Sequence, residues 1–327
     1  MLAATEPAMV AAPRARPWRP VHGVLLLDKP VGLSSQMALQ RARRLLRAEK
    51  AGHTGTLDPL ASGLLPLCFG AATKFSQAVL DADKRYLATV QFGVATDSGD
   101  AEGQVVSRAA ASAAQVPREV LSRALERFTG DIDQVPPMHS ALKRDGRPLY
   151  AYARAGVELD LPARQVRIHS LDIVDSQDLR VSDRWILDVH CSKGTYVRSL
   201  ATDLGRAIGC GAHLAGLRRT GAAPFALADA LTLEALEALD EHGRTARLLP
   251  VEAPIAAWPA VCLPQAEARR FAQGLRRRLA HPDTAQVRVY GPRDREFLGV
   301  GRVLAGELVP TRLLSPDEVE HAVAAAA

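Results

Sequence analysis

Four prolines, Pro250, Pro254, Pro259 and Pro264, crowd one short stretch of a 327-residue chain. Proline lacks a backbone N–H and fixes its own φ, so neither a helix nor a central strand runs through such a stretch. The chain must divide there into a large amino-terminal part and a small carboxy-terminal one, a division that suits its length. A third segment precedes both. Residues 1–20 are rich in Ala, Pro and Arg, have no continuous apolar core and read as a flexible tail. The expected units are therefore 1–20, 21–255 and 256–327.

The pattern within the large part mixes two periods. Residues 23–30 form an apolar run stopped by Pro30, as a buried strand would be. Ser34 or Ser35 can cap a helix whose apolar positions are Ala38, Leu39, Ala42, Leu45 and Leu46, with Arg41, Arg44 and Arg47 as a basic ridge. Residues 86–94, 166–174 and 185–191 alternate as strands. Residues 117–128 and 195–208 read as helices stopped by Gly130 and Gly209, and a short helix covers 148–154. Residues 109–114 read as a loop, and 131–146 as a polar, proline-containing segment. The small part offers one helix over 266–275 and strands at 287–290, 297–303 and 307–310.

Charge narrows the partners. Residues 1–50 hold nine Lys/Arg against three acids, a local excess of +6 within a net charge of +5. Such a patch attracts polyanions, although a solvated helix face also looks like this. The four cysteines are far apart with no C-x-x-C, which argues for free thiols in a reducing compartment and against a zinc knot or a disulfide framework. No apolar run approaches the ~18 residues needed to span a bilayer. The expected compartment is the cytoplasm.

Chemistry concentrates in two segments. Gly52-His53-Thr54-Gly55-Thr56-Leu57-Asp58-Pro59 is too rich in Gly and Pro to propagate a helix or strand. It is a loop that presents an imidazole, hydroxyls and a carboxylate. Asp58 before Pro59 fits a plain turn as well as a catalytic carboxylate. Ser192-Lys193-Gly194-Thr195-Tyr196-Val197-Arg198 stands at a strand-to-helix junction. Tyr196 and Arg198 would share a face in an extended stretch, and an Arg near a buried carboxylate keeps it ionised. Tyr86, at a strand start, fits a core aromatic equally well.

These segments also carry a resemblance. Residues 23–30, 51–61, 73–77, 83–86, 140–143, 149–154, 193–198, 210–214 and 217–219 resemble, in order, the motif series of the TruB family, the bacterial tRNA pseudouridine-55 synthases. The resemblance covers residues 21–221. It implies an α/β (α+β) catalytic domain of the pseudouridine synthase type over 21–255, with a mixed, mostly antiparallel sheet flanked by helices. A small β-rich PUA-like RNA-binding domain would follow over 256–327. There Arg293, Arg295, Arg302 and Arg312 accompany the strand pattern, but ten Arg/Lys against eight acids from residue 258 onward give no charge signature.

The resemblance also assigns roles. Asp58 corresponds to the catalytic aspartate and Arg198 to its paired arginine. Tyr86 corresponds to the tyrosine that stacks on the target base. His53 would contact RNA where bases are flipped out, Tyr196 and Leu217 would line the pocket, and Lys29 would lie near the active site. The implied partner is the T arm of tRNA, with no membrane, no obligatory protein partner and a monomeric enzyme. Exchanging the N1–C1′ bond of uridine for a C5–C1′ bond adds no atoms or electrons, so no cofactor and no metal are expected. It does require an ionised carboxylate in a dry pocket, and Arg198 is expected to supply this by lowering the Asp58 pKa. Residues 134–146 are expected to be mobile and to order on RNA. The rival readings are a non-catalytic tRNA-binding or folding chaperone, a guide-dependent archaeal-type relative, and an aspartate-nucleophile hydrolase.

Overall fold

The computed structural model describes residues 17–324 except 141, 154, 158, 175–180 and 295, and except the Tyr150 side chain. Residues 1–16 of the tail, Ala141 and Arg154 of two motifs, and Arg295 thus lie outside the described residues. Order begins before Val21. The Arg19 backbone pairs with Arg47 and Glu49, and its guanidinium reaches Leu46 O, Thr245 and Glu241.

A ten-stranded mixed sheet carries the large part. Its long strands are β1 (Gly23–Lys29), β2 (Ala61–Phe69), β3 (Lys84–Phe92), β4 (Gly130–Gln134), β5 (Arg164–Ile173), β6 (Arg184–Cys191) and β7 (Ala212–Ala222). In space the order is Leu231–Thr232, β1, β2, β7, β3, β6, β5, β4. β1 and β2 pair antiparallel, as do all neighbours from β7 to β4, whereas β2 and β7 run parallel. The sheet is therefore mixed and mostly antiparallel, as the resemblance implies.

β1 is apolar over residues 23–27 because both of its faces are covered there. Leu25 and Leu27 pack with α1 (Ser35–Leu46), which buries Ala38, Leu39, Ala42 and Leu46. Ser34 caps that helix by accepting from Met37 N, at 3.2 Å. The opposite residues Val24 and Leu26 join a core that runs into the carboxy-terminal part. A third core packs α2 (Arg118–Arg127) and α3 (Val197–Ile208) on β3, β5, β6 and β7.

From within the proline-rich stretch onward, β8 (Ala260–Cys262), β9 (Thr284–Tyr290), β10 (Phe297–Leu304) and β11 (Glu307–Leu313) form a second, five-stranded sheet with Arg277–Arg278, followed by α4 (Pro316–Ala324). Phe297 lies against Phe75 of the large part, ring centroids 5.5 Å apart. Lys74 donates to Leu313 O and pairs with Glu318 of α4.

Two local expectations need correction, and one central strand had not been anticipated. Residues 130–134 are an edge strand, whose alternation is hidden because Asp131 and Asp133 point to solvent. Residues 111–114 form one helical turn in the Ala-rich stretch. β7 carries no clean alternation, because Gly216, Arg218, Arg219 and Gly221 interrupt its apolar residues, yet it lies at the sheet centre.

Candidate active site

The Asp58 loop hangs between the short strand Ala51–His53 and β2, and several bonds fix it. Ser35, at the start of α1, is 1% exposed, and its hydroxyl accepts from Leu57 N (2.7 Å) while donating to Leu57 O (3.0 Å). Leu57 is itself buried, which turns the next side chain outward. Pro59 O accepts from Gly32 N at 2.8 Å. Arg219 of β7 is 1% exposed and reaches across β2 to Leu64 O (2.7 Å) and Gly55 O (3.2 Å). Gly63 makes that crossing possible. Its φ is +99°, and a Cβ there would stand 2.3 Å from Arg219 O.

Arg198, in the first turn of α3, is 7% exposed and acts as a hub. Its Nη2 lies 3.1 Å from Asp58 Oδ2 and donates to His139 O at 2.6 Å. Nη1 faces Asp100 Oδ2 at 3.4 Å. Asp100 is buried and takes a 2.6 Å bond from Ser98 Oγ. The shared extended face expected for Tyr196 and Arg198 does not form. Tyr196 caps α3 and Arg198 is helical, and the two reach one cleft because the chain turns between them. Gln134, 2% exposed, holds that turn by accepting from Tyr196 N (2.7 Å) and donating to Tyr196 O (3.0 Å). The segment expected to be mobile thus starts from a fixed residue and continues into a hairpin pairing Lys143–Arg144 with Arg147–Pro148.

The cleft holds about 380 Å³ and is lined by Asp58, Tyr86, Tyr196, Arg198 and Leu217, with Lys84 and Arg219. Five of the seven residues expected at the site thus face one space. His53 and Lys29 stand outside the lining. His53 is on the neighbouring strand, where burial, then the Arg219 charge, lowers its pKa. Lys29 is fully buried at the end of β1 and donates to Pro30 O and Leu33 O. Burial lowers its pKa to about 8, against the pull of the nearby Asp58.

The Asp58 pKa runs opposite to expectation. Arg198 does lower it, but removal of the carboxyl from bulk water outweighs this, and Asp100 adds to the rise, so the net shift is upward. The side chain keeps 42% of its surface accessible and lines the cleft. Tyr86 is raised as well, by burial, with Arg219 at its hydroxyl opposing. Neither Asp100, Ser35, Gln134 nor Arg219 was expected at the site. Only Arg219 stood within a family-like motif.

The comparisons with known proteins agree with one another. Residues 43–197 match the TruB family pseudouridylate synthase N-terminal domain, 198–256 the tRNA pseudouridylate synthase B C-terminal domain, and 259–314 the pseudouridine synthase II TruB C-terminal domain. A tRNA pseudouridine synthase B from Cupriavidus pinatubonensis is 54% identical over 95% of this chain and 99% of its own. The chain belongs to the TruB family. Proteins of the same description from Verminephrobacter eiseniae and Burkholderia mallei are 53% and 55% identical, covering 94% and 90% of this chain and 92% and 98% of theirs. Among solved structures, a Cbf5-Nop10-Gar1 complex matches with a TM-score of 0.67 at 24% identity, over 91% of this chain and 87% of that one. An archaeal box H/ACA sRNP Nop10-Cbf5 complex gives 0.66 at 24%, over 92% and 88%. At that identity the likeness concerns the fold, including the β-rich carboxy-terminal, PUA-like part. No helix among the described residues is long and apolar enough to cross a membrane.

Proposed function

We propose that this protein converts uridine 55 in the T-arm loop of tRNA to pseudouridine, acting in the cytoplasm as a monomer without cofactor or obligatory protein partner. In this reading residues 21–255 carry the catalysis and 256–327 hold RNA. The observation that carries the proposal is the Asp58 carboxylate held 3.1 Å from the buried Arg198 on the wall of a cleft also lined by Tyr86. At about 380 Å³ the cleft lies near the small end of ligand sites, roughly 300–1,000 Å³, and suits one nucleoside.

A uridine stacked in a folded loop hides C1′ and C5, so it must leave the stack, at a few kcal/mol. Stacking on Tyr86, with Leu217 and Tyr196 alongside, offsets about 1–3 kcal/mol of this. Asp58 then acts on the sugar, either attacking it or taking a sugar proton. Both routes start from the ionised carboxylate, which Arg198 stabilises inside the occupied cleft. The N1–C1′ bond breaks, the uracil turns, and the C5–C1′ bond forms. C5 gives up a proton and N1 takes one, so atoms balance without a redox partner. Burial raises the Tyr86 pKa, and it therefore enters as a neutral phenol. Arg41 and Arg44, beside a surface cavity with Arg244, are offered as phosphate contacts.

The test uses purified protein and an unmodified tRNA transcript, with pseudouridine mapped at single-nucleotide resolution. Wild type is expected to modify the T loop at position 55. Asp58→Asn is expected to bind the tRNA and leave it unmodified. If tRNA binds wild type and no pseudouridine forms anywhere, a tRNA-binding chaperone becomes the better reading.

A further inference from the structure

Away from the cleft, three side chains from separate parts of the chain meet on the outward side of the sheet. Asp83 immediately precedes β3, His169 is on β5 and His190 is on β6. One potential ligand atom from each lies within 4.8 Å of the others. His169 Nε2 is 3.2 Å from Asp83 Oδ2, and the two imidazole centroids are 4.7 Å apart. The β5–β6 register slips between Ile168 and Ser170, and this irregularity brings His169 to its place beside His190.

A neighbouring cation is already engaged. Arg85 pairs in register with His190, but its guanidinium holds Asp188 through bonds of 2.9 and 2.7 Å. Asp172 adds negative charge close by. Cys191 follows His190 but points to the other face, into the core, and burial keeps its thiol protonated with a pKa raised to about 11. A surface cavity of about 650 Å³, lined in part by Arg118, Glu126, His169 and Asp172, opens His169 to solvent.

We propose that Asp83, His169 and His190 form a binding site for a divalent transition metal of the zinc class, two imidazole nitrogens and one carboxylate oxygen serving as ligands with one position left to water. Two nitrogens and one oxygen suit Zn²⁺ better than the all-oxygen cations Mg²⁺ or Ca²⁺. Zn–N bonds near 2.0–2.1 Å set tetrahedral ligand–ligand edges of roughly 3.3 Å. The Asp83–His169 edge, at 3.2 Å, already meets that length. Rotation of the partly exposed His190 ring brings in the third ligand. The metal takes no part in the isomerisation. It ties the start of β3, whose next residue Lys84 lines the cleft, to the end of β6, whose following Ser192 also lines it.

The test uses the full chain without a histidine tag, stripped with EDTA and dialysed. Zn²⁺ is titrated by calorimetry and by competition with a chromogenic chelator, and Co²⁺ is followed by its visible d–d absorption. Wild type and Cys262→Ser, which lacks the exposed thiol, are expected to bind about one equivalent and to give the Co²⁺ bands. His190→Ala and Asp83→Asn are expected to bind roughly tenfold more weakly or worse and to lose the bands. The metal-free melting temperature of each variant reports its fold, and the partly exposed positions give two independent chances of an intact variant. Equal Zn²⁺ affinity in wild type and both ligand variants, binding abolished by Cys262→Ser, or no binding at millimolar Zn²⁺ would overturn the site and leave only the 3.2 Å contact of His169 with Asp83.

Discussion

Asp58 shows how a single residue's chemistry depends on what surrounds it. Its pKa is raised, chiefly by burial. A carboxylate needed in its ionised form is lost as pH falls through that raised value. The acid limb of the single-turnover rate should therefore lie above the ordinary aspartate range near 3.9, and a limb at or below that range would contradict the burial argument. Stability runs the other way. The folded chain binds a proton in a pH window where the unfolded chain does not, so this residue's contribution grows as pH falls through the window. Asp58→Asn should remove that part of the pH dependence in urea unfolding. Ser35 offers a second check. Ser35→Ala leaves Leu57 N–H buried without its acceptor, at about 1–3 kcal/mol, and frees the Asp58 loop. The expected result is a lower kcat with little change in tRNA affinity, and unchanged kcat would show that the loop holds its shape without the hydroxyl. The motif residues were legible in the sequence as strings. Ser35, Gln134 and Asp100 were not, because each acts through a partner far along the chain that no local pattern announces. The sign of the Asp58 shift was missed for a related reason: the string offers the arginine but not the depth of the carboxyl.

Elements with a regular face were legible. α1 was read with its buried residues, since Ala38, Leu39, Ala42 and Leu46 recur at helical spacing and Ser34 caps them. β5 and β6 were read from alternation. β7 was not, although it is the strand that joins the two halves of the sheet and carries Leu217 and Arg219. A central strand with glycines and a buried arginine breaks every local strand rule, because it is shaped by its neighbours. Gly63 tests that crossing. Gly63→Ala places a non-glycine residue at φ +99° and a methyl against Arg219 O. Backbone strain alone costs about 1–3 kcal/mol, and the clash adds to it. Chemical denaturation should show a clear loss of stability, whereas a wild-type midpoint would mean the two strands can separate freely there.

At the scale of the whole molecule, the strands up to residue 232 and those from residue 260 onward form two sheets, yet the cores are not separate. Val24, Leu26, Phe75, Phe271, Phe297 and Val300 belong to one buried cluster that spans both parts. The sequence marks a boundary in the chain, whereas packing joins what the boundary divides. Phe297→Ala should cost about 3–5 kcal/mol and lower the melting of both parts together. Circular dichroism and the fluorescence of Trp258, which packs against this cluster, are expected to give one coincident transition in wild type. Two resolved transitions would mean that the parts melt independently.

The parallel contact between β2 and β7 sets Ala61 beside Leu217 and Gly63 beside Arg219. During synthesis the Asp58 loop leaves the ribosome long before the strand that braces it, at roughly 5–20 residues per second. The nascent chain must therefore wait, with the Asp58 loop unbraced, until nearly two thirds of it has been made. Pairings between such distant segments form slowly. Competence for chemistry thus arrives late and all at once, and a growing chain cannot act on RNA while half built.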